Sequence, residues 1–402
     1  MSGLENDAMP VPGPRRVVVA VFVVLGVVTG LFFYSMSAFV DSLADNGFSV
    51  SVASLAPTVT AMASGLGGLW VARLLRRFPV RPLMIVGVCA AGLSLAWAGS
   101  ARGAVELCAA FAAFGLATAF TAAVPCTDLI ARWFAPTPGR AMAIATTGMS
   151  IGGAVMPPIV VAVLGVFGLS TGALVLGVAL VAVVALATAV IPEPARRRAA
   201  AATRASASAP RSGPMLLLMA GFALVLFSQS ATIAHMLRIA GERGVDGAGI
   251  LVILALASLG ARLLGVVVID AIGISRLALA TYLLQGVGQA VFAVAGSLPT
   301  LALGGVLLGS SMGNTFVLMS LYTLAGFGLD RYAPAYAQLS IAATGGVALG
   351  PLFLGLAVGW FGGYAWPLLV LAGACVSGAL LLRATRIDSR DATRPPSPEG
   401  PA

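Results

Sequence analysis

The sequence contains no lysine. All 23 of its basic residues are arginine, and one histidine, His235, completes the cationic side chains. Without lysine there is no G-x-x-x-x-G-K-[ST] phosphate loop, so ATP-driven transport by this chain alone is excluded. A single histidine rules out most metal centres and nucleophile–base pairs. No catalytic constellation, metal site or cofactor is expected, and the chain is not read as an enzyme. Charge is also scarce, at 9% of residues against 59% hydrophobic, with mean hydropathy +1.02. Soluble domains carry about a quarter charged residues, which leaves a polytopic membrane protein. The four cysteines, Cys89, Cys108, Cys126 and Cys375, lie in apolar runs and form no C-x-x-C pair. They read as small packing residues, without disulfides.

What is present is long apolar runs. A span needs about 20 apolar residues, and twelve such runs occur at about 17–40, 51–75, 82–100, 104–130, 140–167, 170–191, 214–239, 248–269, 276–296, 299–327, 333–358 and 364–384. The first is too long for a signal-peptide core and reads as a retained span. Between the sixth and seventh lies a Pro/Ser/Ala-rich basic stretch, residues 192–213, with the composition of a flexible surface linker. It divides the chain into an N-terminal half (1–191) and a C-terminal half (214–402). The pI near 10.2 reflects loop arginines that set topology, so no nucleic-acid partner is expected. With the N-terminus inside, 19 of the 23 arginines fall on the cytoplasmic side, as the positive-inside bias requires. The expectation is a multi-pass protein of the cytoplasmic (inner) membrane with both termini cytoplasmic.

The halves echo each other. Arg76–Pro82 and Asp270–Arg276 are tight basic turns after the second and eighth spans. Thr146–Pro158 and Thr344–Pro351 in the fifth and eleventh spans both carry glycines four apart followed by proline. Such glycines let helices approach closely, and repeated halves around a midplane site are typical of secondary transporters.

Four stretches carry a family resemblance: "GLFFYSMSAFVDSLADNGFS" (Gly30–Ser49), "RWFAPTPGRAMAIATTGMSIGGAVMPP" (Arg132–Pro158), "HMLRIAGERGV" (His235–Val245), and the arginine eight residues before Asp270. Together they resemble the major facilitator superfamily, most of all its branch of monocarboxylate transporters and oxalate/formate-type antiporters. The resemblance implies an all-α membrane protein of twelve transmembrane helices in two pseudo-symmetric six-helix bundles. It also implies a cytoplasmic gate built from Arg76, Arg77, Asp128, Arg132, Asp270, Arg276 and Arg331. The chain departs from the family where the first loop has Arg76 in place of an acid and Pro79 in place of a glycine. Asp128 could pair instead with Arg76 or Arg77, and its pairing with Arg132 reads as a gate pair. The lysines that some of these relatives carry in the first or eleventh span have no counterpart here.

Arg262 is the residue that most needs a partner. With the two loops aligned, Arg76 on Asp270, it lies roughly 12 Å inside the eighth span at 1.5 Å per residue. Arg73, in the same "ARLL" context, lies only about 5 Å inside and can snorkel; the position equivalent to Arg262 in the first half is Gly68. A mid-membrane arginine costs at least about 2.5–3.5 kcal/mol, and no acid stands three or four residues away. A substrate carboxylate, bound through two guanidinium N–H groups, or an acid on another helix would answer it. His235 and Tyr34 are candidate pocket donors, with Asn314 and Ser320 as further polar candidates. His235 and Asp41 are candidate proton sites, although packing or capping roles fit these residues too. The expected function is secondary transport of a small organic monocarboxylate by alternating access, with proton symport or anion exchange, by a chain working as a monomer in the lipid bilayer. A dianion would want a second deep cation. The alternative is proton-driven efflux of a hydrophobic drug or metabolite. A non-transporting receptor is disfavoured by the short loops.

Overall fold

The computed structural model describes residues 12–75, 77–134, 139–191 and 212–387. Arg76 and nearly all of the linker at 192–213 fall outside them. Among the described residues every regular element is helical, and eleven helices are long and apolar enough to cross a membrane. One of these, Ala141–Ala189, has 49 residues, about 74 Å of helix and far more than one crossing needs. It is broken at Gly168, where φ is 72° and ψ 176°, a left-handed φ that favours glycine. Its two arms are the fifth and sixth spans, so twelve crossings are present. Gly328 (φ 69°, ψ 176°) breaks Leu298–Phe361 in the same way between the tenth and eleventh spans.

Two expected spans differ from the simple helices predicted. The first runs as Pro12–Thr29, passes through a π-helical turn at Gly30–Tyr34, and continues as a separate helix, Met36–Asp45. The seventh stops at Ala234, short of the expected 239. His235 leaves helical geometry (φ −108°, ψ 9°) and a short helix, Met236–Gly241, follows. The break is stabilised from outside, because the Ser37 hydroxyl accepts the Leu237 N–H at 2.8 Å.

Within each half, glycines bring helix backbones into direct contact. A methyl group on Gly148 or Gly152 would strike the Phe22 or Gly26 carbonyl of the first span. In the second half, Gly346 and Gly350 stand against the Ala223 and Phe227 carbonyls of the seventh. Gly115 packs on the Thr60 carbonyl between the fourth and second spans, and Gly309 and Gly313 pack on the Leu254 and Ser258 carbonyls between the tenth and eighth. Thr60 with Leu254, and Gly115 with Gly309, keep the offset set by aligning Arg76 with Asp270. The weak sequence repeat is therefore a repeat of contacts.

The halves meet along a seam of the second against the eleventh span and the fifth against the eighth. Gly65 faces the Thr344 methyl group there, and Ser51 donates to the Gly355 carbonyl at 3.0 Å. The start of the first span at Pro12 and the end of the twelfth at Ala384 lie at one end of the bundle, called here the terminal end; the opposite end is the distal end.

Candidate functional site

Arg262 projects from the eighth span into this seam. Its Nε donates to the Gly313 carbonyl at 3.3 Å and its Nη1 to the Thr146 carbonyl at 3.2 Å. The first contact exists because Gly313 lets the tenth span lie against the Ser258–Arg262 backbone. The second crosses to the fifth span, in the other half. Both bonds are at the long end of the N–H···O range, and among the described residues no carboxylate pairs with Arg262.

Four other groups converge on it. Tyr34 belongs to the π-helical turn, a feature found frequently at functional sites. That turn is anchored by Ser35, whose hydroxyl and N–H both donate to the Gly30 carbonyl, at 2.8 and 2.9 Å. The Tyr34 ring lies flat against Gly153, where a Cβ would come within 2.6 Å of its Cζ, and its hydroxyl lies beside Ser258 and Arg262. Ser258 is buried and its hydroxyl has no hydrogen-bond partner of good geometry despite this neighbour. Ser150 is buried and equally without a partner. It lies one turn from Thr146 and almost one from Gly153, on the face of the fifth span that those two turn toward Arg262 and Tyr34. Asn314 packs its amide on Gly265, one turn beyond Arg262. Ser150 was missed from sequence because a serine in a glycine-rich run reads as packing. Its signal was its spacing from Thr146, visible only once the fifth span is known to face the eighth.

The remaining sequence candidates lie elsewhere. His235 is fully buried near the distal end of the seam. Its Nε2 lies 3.1 Å from both the Pro351 carbonyl and Ser54 Oγ, and its Nδ1 3.0 Å from the Tyr364 hydroxyl. A carbonyl can only accept, so Nε2 carries the proton. Ser54 spends its own hydrogen on the Val50 carbonyl at 2.6 Å, and Nδ1 accepts from Tyr364. Each ring nitrogen has a hydrogen-bond partner, and the ring ties both halves together. Ser320 pairs with the Tyr332 hydroxyl at 2.7 Å, about 9 Å along the tenth span from Asn314. Asp41 forms an ion pair at the distal end with Arg238, at 2.8 Å, and Arg238 also reaches Asp45 at 2.6 Å and the Asp41 carbonyl at 3.0 Å. Burial pushes the Asp41 carboxyl above the usual carboxylate range, Arg238 pulls it back down, and Asp45 adds to the rise.

At the terminal end Asp128 pairs with Arg132, one turn on, at 2.7 Å, and Arg132 reaches the Leu75 carbonyl at 3.3 Å. The expected option of Asp128 with Arg77 is not what forms. Arg77, Arg276 and Arg331 are exposed and in no ion pair among the described residues. Arg76 and the Asp270 side chain lie outside the description.

Next to Tyr34 the seam is narrow: Phe32, Phe33, Met36, Pro57, Ile233 and Pro351 line a partly open space of about 20 Å³, room for little more than one water. Beyond it come the His235 cluster and the Arg238 ion pairs.

Two six-helix halves that meet along a seam, with eleven helices among the described residues long and apolar enough to cross a membrane, define a multi-pass membrane protein of the transporter class. The sequence pattern of the Major Facilitator Superfamily matches residues 20–269, and the chain belongs to that family of membrane transporters. Among solved structures it is similar to the nucleoside transporter NupG, with TM-score 0.73, 14% identity, and coverage of 93% of this chain and 99% of that one. It is similar also to the human organic anion transporter MFSD10 (TETRAN), with TM-score 0.64, 17% identity, and coverage of 92% and 100%. No curated protein matches the sequence.

Proposed function

We propose that the protein carries a small organic monocarboxylate across the cytoplasmic membrane by alternating access of its two halves, coupled to proton symport or anion exchange. The observation that carries this reading is Arg262, which has only two long bonds to carbonyls and no acid among the described residues. A guanidinium in that state has N–H capacity for a carboxylate, which it binds more strongly than a neutral carbonyl. The hydroxyls of Tyr34, Ser150 and Ser258 are the neutral donors around the same point. Because Arg262 touches Gly313 in one half and Thr146 in the other, an anion bound there competes with a contact across the seam. Binding is thus linked to the relative position of the halves, as alternating access requires. On the arginine bias the terminal end is cytoplasmic; the distal end, where bonds join the halves, then faces outward, and in this reading the form described is closed on that side.

The test is uptake of labelled lactate- or pyruvate-sized acids into proteoliposomes. The wild-type protein should show saturable uptake and counterflow. Arg262→Gln should lose about 1.5–3 kcal/mol of anion binding, at least a tenfold loss. Arg262→Lys should also be impaired, since a point charge does not replace the two-pronged guanidinium. Wild-type affinity in Arg262→Gln would overturn the assignment.

A further inference from the structure

A basic groove lies at the terminal end of the first half, apart from Arg262. Arg15 and Arg16 stand in the opening turns of the first span and Arg81 at the start of the third. The end of the sixth span, Ala189–Ile191, faces them across a cavity of about 570 Å³. Arg81 is oriented by a bond from its Nη2 to the Ala189 carbonyl at 3.0 Å, which leaves its other N–H groups available. Arg15 and Arg16 are exposed. Among the described residues none of the three arginines is in an ion pair. The membrane-facing side of the cavity is apolar, with Val19 62% and Val190 55% exposed.

We infer that this cavity binds the phosphate of an anionic phospholipid headgroup, with the acyl chains running down past Val19 and Val190. Three guanidinium groups around one space call for an anion with several oxygens, which a phosphate supplies. The position at the ends of three spans puts that anion at headgroup depth, and an apolar flank below a basic rim fits a lipid better than a freely soluble ion. Basic pockets between membrane helices bind acidic headgroups by this logic. The first turn of the seventh span, Gly213–Leu216, which stands in the second half where Arg15 and Arg16 stand in the first, has no basic residue. The ligand would brace the first, third and sixth spans within one half.

The test is native mass spectrometry of the full-length protein after purification from membranes containing phosphatidylglycerol or cardiolipin, followed by titration of each lipid into delipidated protein. Wild type should retain anionic lipid and rebind it in preference to phosphatidylcholine. Arg15→Gln, Arg16→Gln and Arg81→Gln should each weaken rebinding about fivefold, and the triple variant should lose it. Arg383→Gln, at the same end but outside the cavity, should leave rebinding unchanged. Inorganic phosphate at millimolar concentration should not displace the lipid. Equal rebinding by wild type and the triple variant, or equal loss in Arg383→Gln, would overturn the site. Displacement by inorganic phosphate would overturn the lipid assignment. If the triple variant proves unstable in detergent, Arg81→Gln alone against Arg383→Gln decides the question.

Discussion

Individual residues near the seam divide into those with spare bonding capacity and those without. Arg262, Ser150 and Ser258 have it, whereas His235 has none. This makes opposite predictions for two residues that sequence reading placed in one site. His235→Gln should lower stability by about 1–3 kcal/mol, through loss of buried hydrogen bonds, while leaving the shape of the pH–transport profile unchanged. Thermal unfolding and uptake across pH measure the two effects, and a flattened profile would show that His235 carries a proton after all. Arg262 was legible from sequence because depth and missing acids are countable. The contents of the His235 shell were not, because Ser54, Pro351 and Tyr364 are far apart in the chain and nothing local marks them as neighbours.

Elements were legible to the extent that hydropathy alone determines them. Twelve crossings followed from length and apolarity, and Gly168 divides the fifth from the sixth where the sequence pattern did. The π-helical turn at Gly30–Tyr34 and the stop at Ala234 were not legible, since their local sequences are as apolar as the helices around them. Both depend on partners in other spans. Gly153 exemplifies such dependence, because it provides the flat surface on which the Tyr34 ring rests. Gly153→Ala should push the ring aside, and overpacking of this kind costs about 1–3 kcal/mol. The expected result is a raised KM for the transported acid. Tyr34→Phe should raise KM as well without the stability loss, and the double variant should be less than additive. Independent effects would separate Gly153 from Tyr34.

The whole molecule is asymmetric along its length. Distal contacts between the halves include the His235 cluster, the Leu237–Ser37 bond and the ion pairs of Arg238 with Asp41 and Asp45. Among the described residues no comparable side-chain bond joins the halves at the terminal end. Asp41 gives this asymmetry a pH dependence whose sign can be worked out. In the closed form burial raises its pKa more than Arg238 lowers it. Closed protein therefore holds the Asp41 proton more tightly than a form in which that carboxyl is hydrated. Linkage then requires acid to favour closure, over a range beginning near the ordinary value of about 3.9 and extending up to the raised one. Labelling of a cysteine placed at Ser51, on the seam at the distal end, should slow as external pH falls through that range. Asp41→Asn should remove the trend, and faster labelling in acid would reverse this assignment. The sequence offered Asp41 as a candidate proton site but not its pairing with Arg238, since nothing local shows that the first and seventh spans end side by side.

The packing within each half has a kinetic consequence. Backbone-to-backbone glycine contacts hold neighbouring helices close together inside each bundle, so on the proposed cycle each bundle would swing as a stiff lever. The barrier to turnover is then concentrated in the few bonds that cross the seam. A substitution that strengthens a distal bond should slow the throw of the lever and, because an anion at the proposed Arg262 site would compete with a contact across the seam, shift its apparent affinity as well. Speed and apparent affinity would then be set together, at the rim as much as at the fulcrum.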